Sequence, residues 1–131
     1  MRVGVEQYAL PVDHVLEVAE LGDLAAVPGA PSAVLGVRNL RGQVLPVFDL
    51  AAVLGLPRDG APARLVVVEQ GSLLAGLAID EVHDVEELPD ELQETSSDLL
   101  AGAVLTRDAL VGVLDLERLF TALAPPARRS A

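Results

Sequence analysis

The chain has no cysteine, no tryptophan and no lysine, and only one tyrosine and two phenylalanines among 131 residues. Without cysteine there is no disulfide, no thiolate metal site and no thiol nucleophile, a composition that fits the cytoplasm. Aromatics are 2% against 51% hydrophobic residues, so the core must be built from Val, Leu and Ala, with apolar surface left for partners. No apolar run approaches the ~20 residues of a membrane span. Met1-Arg2-Val3-Gly4 also lacks the charged-then-apolar layout of a secretory leader, so a soluble chain without membrane insertion is expected. All nine basic residues are Arg, against twenty carboxylates, for a net charge of −11. That balance disfavours nucleic acid and anionic lipid, and any cationic contact has to come from Arg. At this length one domain is expected, or two very small lobes sharing a core.

The stretch Val34–Leu50, VLGVRNLRGQVLPVFDL, places two apolar runs around a polar turn. It predicts a hairpin with Gly42 at a position needing positive φ. Before it, Met1–Val12 gives a short strand, His14–Leu21 alternates as a half-exposed strand, and Gly22–Ser32 is a loop by its Pro and Gly content. After it, Asp49 can cap a helical turn over Leu50–Leu54, stopped by Gly55 and Pro57, and Arg58–Pro62 is a loop. Arg64–Glu69 is a nearly continuous β-branched run, which predicts a strand buried on both faces; a turn at Gln70-Gly71-Ser72 leads to a strand over Leu73–Ile79. Pro89–Asp98 is polar and acidic. Leu99–Thr106 and Leu110–Leu116 predict a second hairpin around Arg107-Asp108, and Glu117–Leu123 a terminal helix ended by Pro125-Pro126.

The chain also repeats itself. Leu10–Leu21 lies over Leu77–Leu88 without a gap, matching Asp13/Asp80, Val15/Val82, Val18/Val85 and Glu20/Glu87; Gly36–Leu50 lies over Gly102–Leu116, matching Gly36/Gly102, Arg41/Arg107, Val47/Val113 and Asp49/Asp115. The Gly, Asp and Arg pairs carry more weight than the aliphatic ones in so aliphatic a chain. A duplicated β unit of about five strands per copy follows, the repeats running over about 8–57 and 74–123. Neither copy is large enough for a stable core alone, so the two should share one, with a groove where they meet.

No catalytic signature stands out. His14 and His83 are isolated in sequence, and neither a nucleophile elbow nor a glycine-rich phosphate loop is present. The acidic run Asp80–Asp98 lacks the ligand spacing of a calcium loop; it reads as a solvated face or as a docking strip for a basic partner. Arg41 is either an exposed turn residue or a partner anchor at the lobe junction. Arg64 is either a paired strand-start residue or part of the same surface. Asp49 and Asp115 recur at one place in both copies and read as helix caps.

Tyr8-Ala9-Leu10-Pro11-Val12, Val15 with Glu17-Val18, Pro28, Pro31, Gly36-Val37-Arg38-Asn39-Leu40-Arg41-Gly42, Pro46-Val47 and Asp49-Leu50 resemble the CheW-like domain of bacterial chemotaxis. Arg64 before Val66-Val67-Val68, Gly76-Leu77 with Asp80 and Val82, Gly102 and Leu114-Asp115-Leu116 extend the similarity over nearly the whole chain. The resemblance implies an all-β fold: two intertwined SH3-like five-stranded β-barrels sharing a central apolar core, with short helices. One domain would cover 1–126, with 127–131 a disordered tail. It implies no enzyme and no cofactor. The expected role is an adaptor coupling a chemoreceptor's cytoplasmic tip to the regulatory domain of a CheA-type histidine kinase, in the cytoplasm at membrane receptor arrays. By position, Val12, Val15, Glu17, Gly36 and Arg41 match places where the family contacts receptor or kinase; Asn39, Gly42 and Arg64 complete the candidate set. A receptor hairpin tip would lie in the inter-lobe groove.

Two departures from the family pattern stand out. The first strand is shorter than is usual before Tyr8, and the segment Glu86–Leu100 is short as well. They suggest a minimal or diverged adaptor, and an open strand edge that invites strand-exchanged dimers. Two alternatives stay open: a self-associating structural module, and a double barrel binding a small ligand or metal through the acidic segment and the two His.

Overall fold

The computed structural model describes residues 1–4, 6–57, 60–83, 85, 92–95, 97–106 and 109–123, and the backbone of 127 and 128. In chain order the elements are β1 (Arg2–Val3), β2 (Glu6–Ala9), a 3-10 turn at Val12–His14, β3 (Val15–Glu20), β4 (Val34–Leu40), β5 (Gln43–Asp49) and α1 (Leu50–Leu54). There follow β6 (Arg64–Gln70), β7 (Leu73–Ile79), β8 (Leu100–Leu105), β9 (Leu110–Leu114), α2 (Leu116–Ala122) and β10 (Ala127–Arg128). The expected leading strand is broken in two by Gly4, whose φ of 62° turns β1 back on β2.

Two sheets form. One has the order β3-β6-β7-β5-β4, the other β1-β2-β9-β8. The lobes are therefore interleaved, and the sequence repeats do not coincide with them. Each repeat lends its leading hairpin to the other repeat's sheet: β7 runs parallel to β5, and β2 runs parallel to β9. The two junctions are equivalent, since the pair Val47↔Gly76 in one corresponds under the repeat to Val113↔Ala9 in the other. The second sheet has four strands among the described residues. The acidic residues at 84, 86, 87, 90 and 91, and the Arg107-Asp108 turn, lie outside those residues. Ala127–Arg128, expected in a disordered tail, pairs antiparallel with Leu73–Leu74 of β7; 129–131 lie outside the described residues.

β6 and β7 are buried on both faces, as their unbroken apolar runs predict. Val66, Val68, Ala75, Leu77 and Ile79 face a core shared with Tyr8, Phe48, Leu50, Leu114, Leu119 and Phe120, which come from both sheets and both helices. Leu65, Val67, Leu74 and Ala78 face the other way, into a second cluster with Leu45 and Val47. At about 1.5–3 kcal/mol per fully buried aliphatic side chain, the shared cluster supplies what neither lobe could assemble alone.

The matched glycines occupy matched geometry. Each sits at a bulge, Gly36 in the β4–β5 ladder and Gly102 in the β8–β9 ladder. Beside each, an incoming loop strand forms a bridge, Ala25↔Val37 in one copy and Gln93↔Ala103 in the other. These bridges cover the outer edges of β4 and β8, and the bridge Arg2↔Glu81 covers β1. The two-residue turn between β4 and β5 has positive φ at both positions, 51° at Arg41 and 84° at Gly42. That is the primed geometry matching strand twist, reached with an arginine where only the glycine was expected. Of the two predicted caps, Asp115 performs as expected, its Oδ1 accepting the Arg118 N–H at 3.1 Å. Asp49 holds the N-cap position of α1 but makes no side-chain cap; at 7% exposure it is turned inward instead.

A Cβ on Gly36 would meet the Ala25 carbonyl oxygen at 2.6 Å, and one on Gly102 would meet Leu92 Cβ at 2.6 Å. Gly36→Ala and Gly102→Ala are each expected to cost about 1–3 kcal/mol, the usual cost of overpacking a close approach, read as a lowered urea midpoint. Wild-type midpoints for both would refute the close-packing role of the matched glycines.

Candidate partner-docking groove

Pro11 fixes the chain's exit from β2, and the 3-10 turn that follows is pinned by His14, whose Nδ1–H donates to the Glu69 carbonyl at 2.9 Å. This turn carries Val12 out to 55% exposure at the mouth of a groove of about 810 Å³ between the lobes. Val15, Val18 and Val66 line it from the first lobe, Tyr8, Ala9, Val111 and Val113 from the second, with Val82, His83 and Val85 along a further wall. The lining is mostly β-branched and aliphatic, so it suits an apolar ridge on a partner.

Strict alternation along β3 would put Val15 and Val18 on opposite faces. The ladder with β6 shifts register between Val15 and Glu17, and one extra residue reverses the parity. Both valines therefore reach the groove. Under the repeat they match Val82 and Val85, which line the opposite wall. The aliphatic matches given least weight in the sequence are thus the ones that build this groove, and they are the signal by which its second wall could have been found.

The eight candidate residues do not form one site. Val12 and Val15 line the groove. Glu17 and Arg41 form an ion pair at 3.5 Å at the β4–β5 turn, where Arg41 is 84% exposed and Asn39 Oδ1 accepts the Gly42 N–H at 3.0 Å. Gly36 is buried beneath Leu24 and Ala25, so it presents no surface. Arg64 opens β6, opposite Glu20 and Ile79. Arg38, absent from the candidate set, donates from Nη1 to the carbonyls of Glu20 and Leu21 at 2.9 and 3.3 Å, tying the two edge strands of the first lobe together.

Several polar groups at and near the groove are engaged. Tyr8 donates its hydroxyl to Glu6 Oε2 at 2.6 Å; burial, and then the Glu6 carboxylate, push its pKa well above the ordinary tyrosine range. Arg2 donates from Nε to Glu81 Oε2 at 2.9 Å and holds the Glu81 carboxyl below its usual range. His83 Nε2 stands 3.8 Å from the same carboxylate. Among the described residues no three metal-ligating side chains converge, and no helix is long and apolar enough to cross a membrane.

A sequence model of the CheW-like domain matches residues 1–124. The chain is 35% identical to the probable chemotaxis protein CheW of Rhizobium etli, over 92% of this chain and 84% of that protein. It is 32% identical to the chemotaxis protein CheW of Helicobacter pylori, over 89% and 76%. The crystal structure of the scaffolding protein TtCheW from Thermoanaerobacter tengcongensis superposes with a TM-score of 0.76 at 29% identity, over 90% of this chain and 87% of that one.

Tyr8 is the single tyrosine and there is no tryptophan, so ultraviolet absorbance titration reads it alone. Its ionisation should begin well above pH 10, the free phenol's region. Because the folded-state pKa is raised, the stabilisation is complete below about pH 10 and is lost as pH rises beyond it. Tyr8→Phe should cost about 1 kcal/mol at neutral pH and weaken this alkaline loss; an unshifted titration would contradict the buried hydrogen bond. Val12→Asp and Arg41→Ala should leave the urea midpoint within about 0.5 kcal/mol, as exposed sites do. Val15→Asp should lower it, because Val15 also packs on the shared core. Equal midpoints for Val12→Asp and Val15→Asp would contradict that division.

Proposed function

We propose that this chain, which belongs to the CheW-like domain family, is a non-catalytic adaptor joining the cytoplasmic tip of a chemoreceptor to the regulatory domain of a histidine kinase. The observation that carries the proposal is the groove of about 810 Å³ walled by repeat-matched valines. It offers apolar area and little fixed polarity, which suits an apolar ridge such as a receptor's hairpin tip rather than a small polar substrate. Apart from the groove, Glu17 and Arg41 at the β4–β5 turn give a second, polar and exposed contact, where arginine's fixed donor fork favours a defined partner geometry. On this reading the protein works in the cytoplasm, drawn to receptor arrays by its partners rather than by insertion into lipid.

The test is capture with the full chain as bait from lysate of its own cells, followed by mass spectrometry. A histidine kinase and a receptor should be recovered, the receptor being lost with Val12→Asp and recovery reduced with Arg41→Ala. Recovery of the bait alone, or recovery indifferent to both substitutions, would overturn the proposal.

A further inference from the structure

We infer that Arg2 is a positioning residue of the groove: it holds in place the wall that carries Val82, His83 and Val85, without lining the groove itself. The inference rests on the reading of the groove as a docking site. Arg2 lies on β1, outside the groove lining. Its Nε donates to Glu81 Oε2 at 2.9 Å, its Nη1 donates to the Gly4 carbonyl at 2.6 Å, and Nη1 lies 3.5 Å from Asp80 Oδ2. Main-chain bonds run alongside, from Arg2 N–H to the Glu81 carbonyl at 2.9 Å and from the Asp80 N–H to the Arg2 carbonyl at 3.1 Å. Asp80 completes the clamp by accepting the Gly4 N–H on Oδ1 at 2.9 Å. Its side chain is only 10% exposed and that of Arg2 34%, so this pair is screened less than an open surface pair, while the Glu81 carboxylate stands 58% exposed.

The two walls are built differently, although their sequences match. Val15 and Val18 lie on β3, fixed by the ladder to β6. Val82, His83 and Val85 lie outside any strand, beyond the end of β7 at Ile79, and the bridge next to them is that of Glu81 to Arg2. Asp13, the repeat counterpart of Asp80, is exposed, so the clamp belongs to one copy only. An arginine is required because one planar fork serves Glu81, Asp80 and the Gly4 carbonyl at once; a lysine offers a single point of attachment.

The test is amide hydrogen exchange on the full chain for wild type, Arg2→Lys and Arg2→Ala, together with lysate capture and Val12→Asp as the groove control. Exchange at the bonded amides of the clamp, Gly4, Asp80 and Glu81, should speed by about tenfold in Arg2→Ala and by less in Arg2→Lys. Val67 and Ala75 in the core should keep their wild-type rates, and receptor capture should fall by about threefold, the scale of a partly exposed ion pair. Unchanged exchange at Gly4, Asp80 and Glu81, or acceleration spread evenly over the chain, would overturn the positioning role. If Val12→Asp leaves capture at the wild-type level, the docking reading itself fails, and the exchange rates still decide whether Arg2 holds the wall.

Discussion

Everything in this molecule depends on the double-sided burial of β6 and β7. A strand apolar on one face can close only one core; these two are apolar on both, and so they close two. Their outer faces fill the first lobe with Leu65, Val67, Leu74 and Ala78, and their inner faces hold Phe48, Leu114 and Phe120 from the two halves of the chain together. With few aromatics available, area has to come from many small aliphatic contacts, and two interior strands without a polar face are the densest way to provide it.

Interleaving has the same origin. A five-strand unit of some fifty residues has too little interior to stand alone. By passing its leading hairpin to the other sheet, each repeat makes the other's core a condition of its own. The parallel contacts β2–β9 and β5–β7 would be unusual in an isolated small barrel, because parallel pairing needs a long connection; here the rest of the partner unit is that connection. The groove is the seam this exchange leaves. Its walls inherit the duplication, with Val15 and Val18 on one side and Val82 and Val85 on the other.

Duplication fixed the residues on these walls more firmly than the means of holding them. The first wall is a strand with a full ladder, the second a segment attached through Arg2, Asp80 and Glu81. The lobe edges follow the same economy. Loop bridges at Ala25 and Gln93 and the Arg38 guanidinium occupy edge groups that would otherwise invite another chain.

The sequence by itself determined the fold class, the β4–β5 and β8–β9 hairpins, the double-faced strand at Arg64–Glu69, the duplication and the family. These are properties of short-range period, turn chemistry and self-similarity, all carried by neighbouring residues. Only the tertiary structure decided which residues meet. It separated the candidate set, taking Val12 and Val15 to the groove, Glu17, Asn39, Arg41 and Gly42 to a turn, and Gly36 under a loop. It reversed the facing of Val18 through a bulge, turned Asp49 inward while its twin Asp115 capped a helix, and brought Arg2 to Glu81 across most of the chain's length. The physical reason is the same in each case: a period tells which face a side chain takes relative to its neighbours. A bulge, a swapped hairpin or a long-range ion pair is settled by packing among residues far apart in sequence.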